Sequence, residues 1–357
     1  MKVLSLFDGI SCGMVALERV GISVEKYVAY EIDENAIKIS NANYPQIEQK
    51  GDVFAAEYKE GEFDLLIGGS PCTHWSIAKA SNNRETTSSG FGFELFMQYV
   101  RALKEAKPRW FLYENNESMS DGIRDEITKQ LGVKPLMIDS ADFSAQIRKR
   151  YYWTNIPVNM SFPKSSLTMK DILFEHEYTA RDFSKYEDTI KWNKDHTCCK
   201  WDTSGKGYYS QANRCRTVDV KANTLLASGT DKVMIYVGDN KCRTLHPVEA
   251  ERLQTLPDNY TDAGLPKGTR IKAVGNGWTV DVIVHILTHL KGEMEMYRTD
   301  DPLKDFDRWE QEKESMAEDL PECDYCGRTI DDHYYNINGE ILCEICMDEQ
   351  FRVSVEI

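Results

Sequence analysis

Over residues 1–160, short apolar runs alternate with stretches of helical spacing. Val3–Phe7 predicts a strand, followed by a glycine-containing turn and a helix through Met14–Val20. Val28–Tyr30 predicts a second strand ending at Glu31. Phe63–Ile67 predicts a third, running into Gly68-Gly69-Ser70-Pro71-Cys72, and Trp110–Tyr113 another, ending at Glu114. Strands alternating with helices predict an α/β fold with a doubly wound parallel sheet. Such sheets bind ligands outside the carboxyl ends of their strands, which is where each acidic or reactive residue just named falls. Residues 161–242 lose the periodicity and read as an inserted, β-leaning unit rich in Lys, Asn, Thr, Trp and Tyr. Helical patterns resume at 243, with Ala273–Leu290 read as a closing helix. Residues 293–320 read as a charged linker, and 321–357 as a compact cysteine-paired module.

Composition changes this picture in two places. With 41% hydrophobic residues in 357, the chain can bury a sizeable core. It has no apolar run long enough to span a membrane and no secretory leader pattern, so a cytoplasmic protein without a membrane partner is expected. The net charge of −15 argues at first against nucleic acid, because phosphate contacts need Lys and Arg. Most of that charge lies in 293–357, however, and the rest of the chain is close to neutral, which leaves room for a basic cleft. The ten cysteines are expected as free thiols in such a setting. The exceptions are Cys323, Cys326, Cys343 and Cys346.

Four segments carry chemistry. In Phe7-Asp8-Gly9-Ile10-Ser11-Cys12-Gly13 the glycines let backbone pass close to a cofactor. Glu31, followed by Ile32, suits the two hydroxyls of a ribose. Asp52, followed by Val53, suits the exocyclic amine of an adenine. Together these favour an adenosine-containing cofactor without a pyrophosphate cradle. Next, Pro71-Cys72 places a thiol on a loop where backbone N–H groups can lower its pKa, although an isolated cysteine is more commonly an inert buried thiol. Glu114-Asn115-Asn116 offers a carboxyl group to share a proton with a base edge. Finally, Gln146-Ile147-Arg148-Lys149-Arg150 alternates its arginines onto one face of a strand.

In this order the segments resemble the cytosine-C5 DNA methyltransferases. Two more pieces extend the likeness: Arg243-Thr244-Leu245-His246-Pro247 through Arg252-Leu253-Gln254, and Gly275-Asn276-Gly277 read as opening the last helix. The resemblance implies a Rossmann-like S-adenosylmethionine-dependent methyltransferase domain over 1–160 plus 243–292, with a target recognition domain over 161–242. It implies Cys72 as nucleophile, Glu114 on the base, Arg150 at the base carbonyl and Arg148 beside it in a more structural part. It places Phe7, Asp8, Gly9, Gly13, Glu31, Ile32, Asp52, Val53, Pro71 and Asn276 around S-adenosylmethionine. Duplex DNA is the implied partner, with a flipped-out cytosine as substrate. Residues 73–93 are the implied mobile loop. Contacts to DNA are expected from Ser76, Arg84, Gln146, Thr224, Arg214 and Arg216. The sequence departs from the family pattern at Thr73, at Asn116 and at Trp278, where a small residue is usual. The alternatives are a tRNA cytosine-C5 methyltransferase and a catalytically idle DNA-binding homologue.

Cys323-x-x-Cys326 and Cys343-x-x-Cys346, 16 residues apart, match a tetrahedral structural Zn²⁺ site. The module's acidity points to a protein partner over direct DNA contact. His196, Cys198, Cys199 and Cys215 have poor spacing for a second metal site. A monomer, acting in restriction-modification, is expected.

Overall fold

Val3, Leu4 and Leu6 are fully buried, as a strand covered on both faces requires. They belong to β1 (Lys2–Leu6), an interior strand of a seven-stranded sheet. The structure is a computed structural model that describes residues 1–71, 75, 85, 90–162, 164–209, 213–227, 233–296, 334–337 and 340–343. Cys72, Ser76, Arg84 and most of the loop 73–93 lie outside the described residues, as do Cys323, Cys326 and Cys346.

The large sheet also contains β2 (Lys26–Tyr30), β3 (Glu48–Gln49), β4 (Leu65–Gly68), β5 (Trp110–Asn116), β6 (Leu136–Asp139) and β7 (Lys149–Thr154), in the order β3-β2-β1-β4-β5-β7-β6. Its first five strands run parallel. β7 is antiparallel to both neighbours, which corrects the expectation of a wholly parallel sheet. The reason is connection length: only 140–148 separate β6 from β7, too few for a crossover between parallel strands. Helices α1 (Cys12–Val20), α2 (Glu34–Asn43), α3 (Phe91–Ala106) and α4 (Asp121–Leu131) link the strands. A cluster including Leu66, Phe96, Tyr99, Phe111, Tyr113 and Trp153 forms the core under β4, β5 and β7.

A second sheet of six short strands follows: β8 (Arg181–Asp182), β9 (Lys191–Trp192), β10 (Cys198–Lys200), β11 (Arg214–Arg216), β12 (Met234–Gly238) and β13 (Lys241–Thr244). Phe183 stacks on Trp201 with ring centroids 4.1 Å apart, over Cys199, Cys215, Met234 and Cys242. Cys199 and Cys215 face each other across β10 and β11 with sulfurs 3.0 Å apart. Among the described residues no group of three or more His, Cys, Asp or Glu is arranged to hold a metal.

The chain then returns through α5 (Pro247–Leu253), α6 (Lys267–Asn276) and α7 (Val280–Met296). The single closing helix expected over 273–290 is two helices. Gly277 caps α6, so the Gly275-Asn276-Gly277 segment ends one helix and does not open the next. Residues Met1–Lys291 form one compact unit and Gly292–Ile357 another, the latter containing the hairpin β14 (Tyr334–Ile337) and β15 (Glu340–Cys343). No helix among the described residues is long and apolar enough to cross a membrane.

Candidate active site

A cleft of about 990 Å³ opens at the carboxyl ends of β1, β2 and β4. Its walls come from the turn after β1, the end of β5, the segment entering β7, two arginines of β11, and 223–227 and 273–278.

At one end, Phe7, Gly9 and Ser11 all have φ near +60°, which coils the turn back toward β2. Gly9 N–H donates to Glu31 Oε2 at 2.8 Å, and the N–H groups of Ile32 and Asp33 donate to Oε1 at 2.8 Å each. The Glu31 carboxylate is therefore fixed by three amides at the cleft wall. Asp8 also lines the cleft, but it accepts from Ser5 Oγ, Tyr27 Oη and Ser11 Oγ. Burial pushes its pKa above the ordinary aspartate value against the pull of those hydroxyls. Phe7, Gly9, Pro71 and Asn276 also line the cleft.

Gly13, Ile32, Asp52 and Val53 are not among the lining residues. Gly13 is a packing position, since a Cβ there would lie 2.3 Å from Ile67 Cδ1. Ile32 is 72% exposed, Asp52 caps the short turn that follows it by accepting Phe54 N–H, and Val53 is buried in the core.

At the other end stands Glu114, inside β5 rather than at its end. Arg150 lies opposite Asn116 in the β5–β7 register, two residues along from Glu114, a diagonal that long side chains can span. Arg150 Nε sits 3.0 Å from Glu114 Oε1, with the two side chains 13% and 12% exposed. Trp278 Nε1 donates to Glu114 Oε2 at 3.0 Å. Asn115 Nδ2 donates to Ser70 O and to Tyr113 Oη, both at 3.1 Å, and Ser70 Oγ lies 2.6 Å from Tyr113 Oη. This buried set anchors the strand exit that leads through Pro71 to Cys72.

Arg148 is 5% exposed and donates to the carbonyls of Leu225, Gly275 and Gly277 at 2.9, 3.2 and 3.0 Å. It ties the chain at Leu225 to the C-terminal end of α6. Gln146 corrects the expectation of a DNA contact. It is fully buried, donates to Leu253 O and Gln254 Oε1 at 2.7 and 2.8 Å, and accepts from Leu225 N–H at 3.2 Å. Thr224 lines the cleft while donating to Ile147 O at 2.7 Å. Arg214 and Arg216, on one face of β11, line the same cleft. Sequence reasoning singled out Trp278 as a departure but missed its bond to Glu114, because no local signal links positions 164 residues apart.

A parallel α/β sheet with one reversed strand, an anchored carboxylate after its second strand and a ligand cleft at its carboxyl edge defines a Rossmann-like cofactor-binding enzyme fold. A family model of C-5 cytosine-specific DNA methylases matches residues 1–292, and the chain belongs to that family. It is similar to the type II methyltransferase M.NgoPII of Neisseria gonorrhoeae, 26% identical over 340 residues that cover 83% of this chain and 96% of that protein. A shorter stretch of 118 residues, 32% of this chain, is 42% identical to the orphan methyltransferase M.Rho11sI of Bacillus phage rho11s, spanning 23% of that protein. Among solved structures, the Entamoeba histolytica methyltransferase EhMeth shares the fold at TM-score 0.62 and 14% identity, covering 82% of this chain and 98% of its own. An E. coli prophage-encoded putative DNA modification methyltransferase does so at TM-score 0.54 and 19% identity, with 82% and 99% covered.

Proposed function

We propose that the chain is a DNA (cytosine-5-)-methyltransferase using S-adenosylmethionine, acting on a cytosine flipped out of a specific duplex sequence. The observation that carries this reading is one cleft holding both the anchored Glu31 and the Glu114–Arg150 pair, at the strand exit that leads to Cys72. The residues fit the cofactor. A carboxylate has about four acceptor sites, so Glu31 retains capacity for a ribose hydroxyl beside its three amides. Phe7, Gly9, Pro71 and Asn276 supply walls.

Bound S-adenosylmethionine supplies an electrophilic methyl group on a positively charged sulfur. The chain's own residues make the base reactive. Cytosine C5 is a weak nucleophile; addition of the Cys72 thiolate to C6 raises electron density at C5. Glu114 holds N3 and the exocyclic amine and follows the change in charge, while Arg150 keeps its carboxylate in place and reaches the base carbonyl. Arg214, Arg216 and Thr224 face the DNA from the recognition side, with Ser76 and Arg84 on the loop after Cys72.

The C-terminal unit is proposed to bind a structural Zn²⁺ through Cys323, Cys326, Cys343 and Cys346. The hairpin register fits this, since it brings Cys343 level with Tyr334, eight residues after Cys326. Its acidity suits a protein partner.

Transfer of a tritiated methyl group to duplex DNA, to tRNA and to neither separates the DNA enzyme from a tRNA enzyme and an idle homologue. Label is expected in duplex DNA, lost in Cys72→Ser, with a covalent complex trapped on 5-fluorocytosine DNA. Undiminished transfer by Cys72→Ala overturns the mechanism.

A further inference from the structure

We infer that Trp278 is a positioning residue for Glu114, acting through its indole N–H; this rests on the reading that Glu114 holds the target cytosine. Among the described residues, Glu114 receives one donor on each oxygen, the Arg150 guanidinium on Oε1 and the neutral indole on Oε2, both at 3.0 Å. The terminal torsion of a glutamate is soft, and a donor on one oxygen alone lets the carboxylate swing about it. A second donor on the other oxygen fixes its plane. About two acceptor sites then remain for a base edge that presents a ring nitrogen and an amine.

Trp278 is itself held firmly. It sits between α6 and α7, where Gly277 O accepts from Arg148 and from Gln254 Nε2, and Thr279 Oγ1 donates to Gln254 Oε1 at 2.6 Å. The six-membered edge of the indole rests against Gly13, where a Cβ would lie 3.6 Å from its Cζ3. On the other side Gly69 keeps the meeting point open. A Cβ at 69 would lie 2.8 Å from Glu114 O, 3.1 Å from Glu114 Oε2 and 3.5 Å from Trp278 Nε1. The two glycines and the capped helix end thus place one N–H bond on one carboxylate oxygen, beside Gly69, which stands three residues before Cys72 in the chain. A ring that only filled space or walled the cofactor would serve equally well without its N–H.

The test removes the N–H and keeps the ring. In the full-length chain, Trp278→Phe, and replacement of Trp278 by 3-benzothienylalanine, are compared with wild type on unmethylated plasmid DNA. The single-turnover rate of methyl transfer is expected to fall roughly ten- to a hundredfold, the scale of a lost hydrogen bond to a charged group. The Kd for S-adenosylmethionine, the Kd for DNA and the thermal midpoint stay within the range of wild type. If the benzothienyl chain transfers at the wild-type rate, or if the loss is in cofactor affinity with the rate unchanged, the positioning role is overturned. Glu114→Gln separates the two levels. If that variant is as active as wild type, the reading of the site has failed; if it is inactive while both Trp278 replacements keep the wild-type rate, only the part assigned to Trp278 has failed.

Discussion

The two arginines of the Gln146–Arg150 segment show how one residue type serves two ends. Arg148, 5% exposed, donates to three carbonyls, two of them in fully buried bonds. Arg148→Met is expected to cost about 3–5 kcal/mol, the scale of losing a buried charged hydrogen-bond hub, read as a lowered urea midpoint. Arg150 instead meets Glu114 at the cleft. Arg150→Met is expected to lower the urea midpoint less than Arg148→Met does, while slowing methyl transfer at least about tenfold, the effect of a charge-assisted bond lost at the reacting base. Equal stability losses in the two variants would contradict this division. The residue types at the site were legible from motif order: Glu31, Glu114 and Arg150 all fall in the cleft or against it. What each side chain touches was not. Gln146 and Gly13 stand in motifs that read as contacts to ligand, yet one is a buried bracket and the other a close-packing position. Their partners, Leu253 and Ile67, are distant in the chain.

At the scale of elements, β1, β2, β4 and β5 were readable because buried strands are continuous apolar runs, whereas the short, partly exposed β3 and β6 gave no such signal. The reversal of β7 was present in the sequence only as a short connection. The break between α6 and α7 was hidden because an apolar pattern of period 3.6 continues across Gly277. Harder to foresee was the tie between the second sheet and α5. Arg243, in β13, pairs with both oxygens of Glu249, in α5, at 2.7 Å each. Glu249 also accepts from the N–H groups of His246 and Phe174. Burial alone would raise the Glu249 pKa; the Arg243 guanidinium and the two amides outweigh it and leave the carboxyl below its ordinary value of 4.5. A depressed carboxyl stabilises the fold where it is ionised, so this contribution is complete above pH 4.5 and is lost as pH falls through the lower folded value. Glu249→Gln is expected to cost about 3–5 kcal/mol at neutral pH, as for a broken buried pair, with the gap to wild type closing in acid. A gap independent of pH would show that the charge is not what holds the two elements together.

For the whole molecule, the division at Gly292 separates chemistry from charge. Every group assigned to cofactor, base or DNA lies in residues 1–291, and the family match ends at 292. Residues beyond it carry most of a net charge of −15. A chain ending at 296, the last residue of α7, is therefore expected to keep single-turnover methyl transfer within about threefold of the full chain, since no reacting group is removed. Its association with DNA should be faster at low salt, because like-charge repulsion from the removed segment disappears, and the difference should shrink as salt screens it. Metal analysis supplies the complement: about one Zn²⁺ per full-length chain, as a four-cysteine site takes, and none in the shortened one. Retained zinc in the shortened chain would place the metal among the cysteines of the second sheet instead. Loss of transfer with the fold intact would mean that the C-terminal unit completes the active site, and the separation drawn at Gly292 would have to be abandoned.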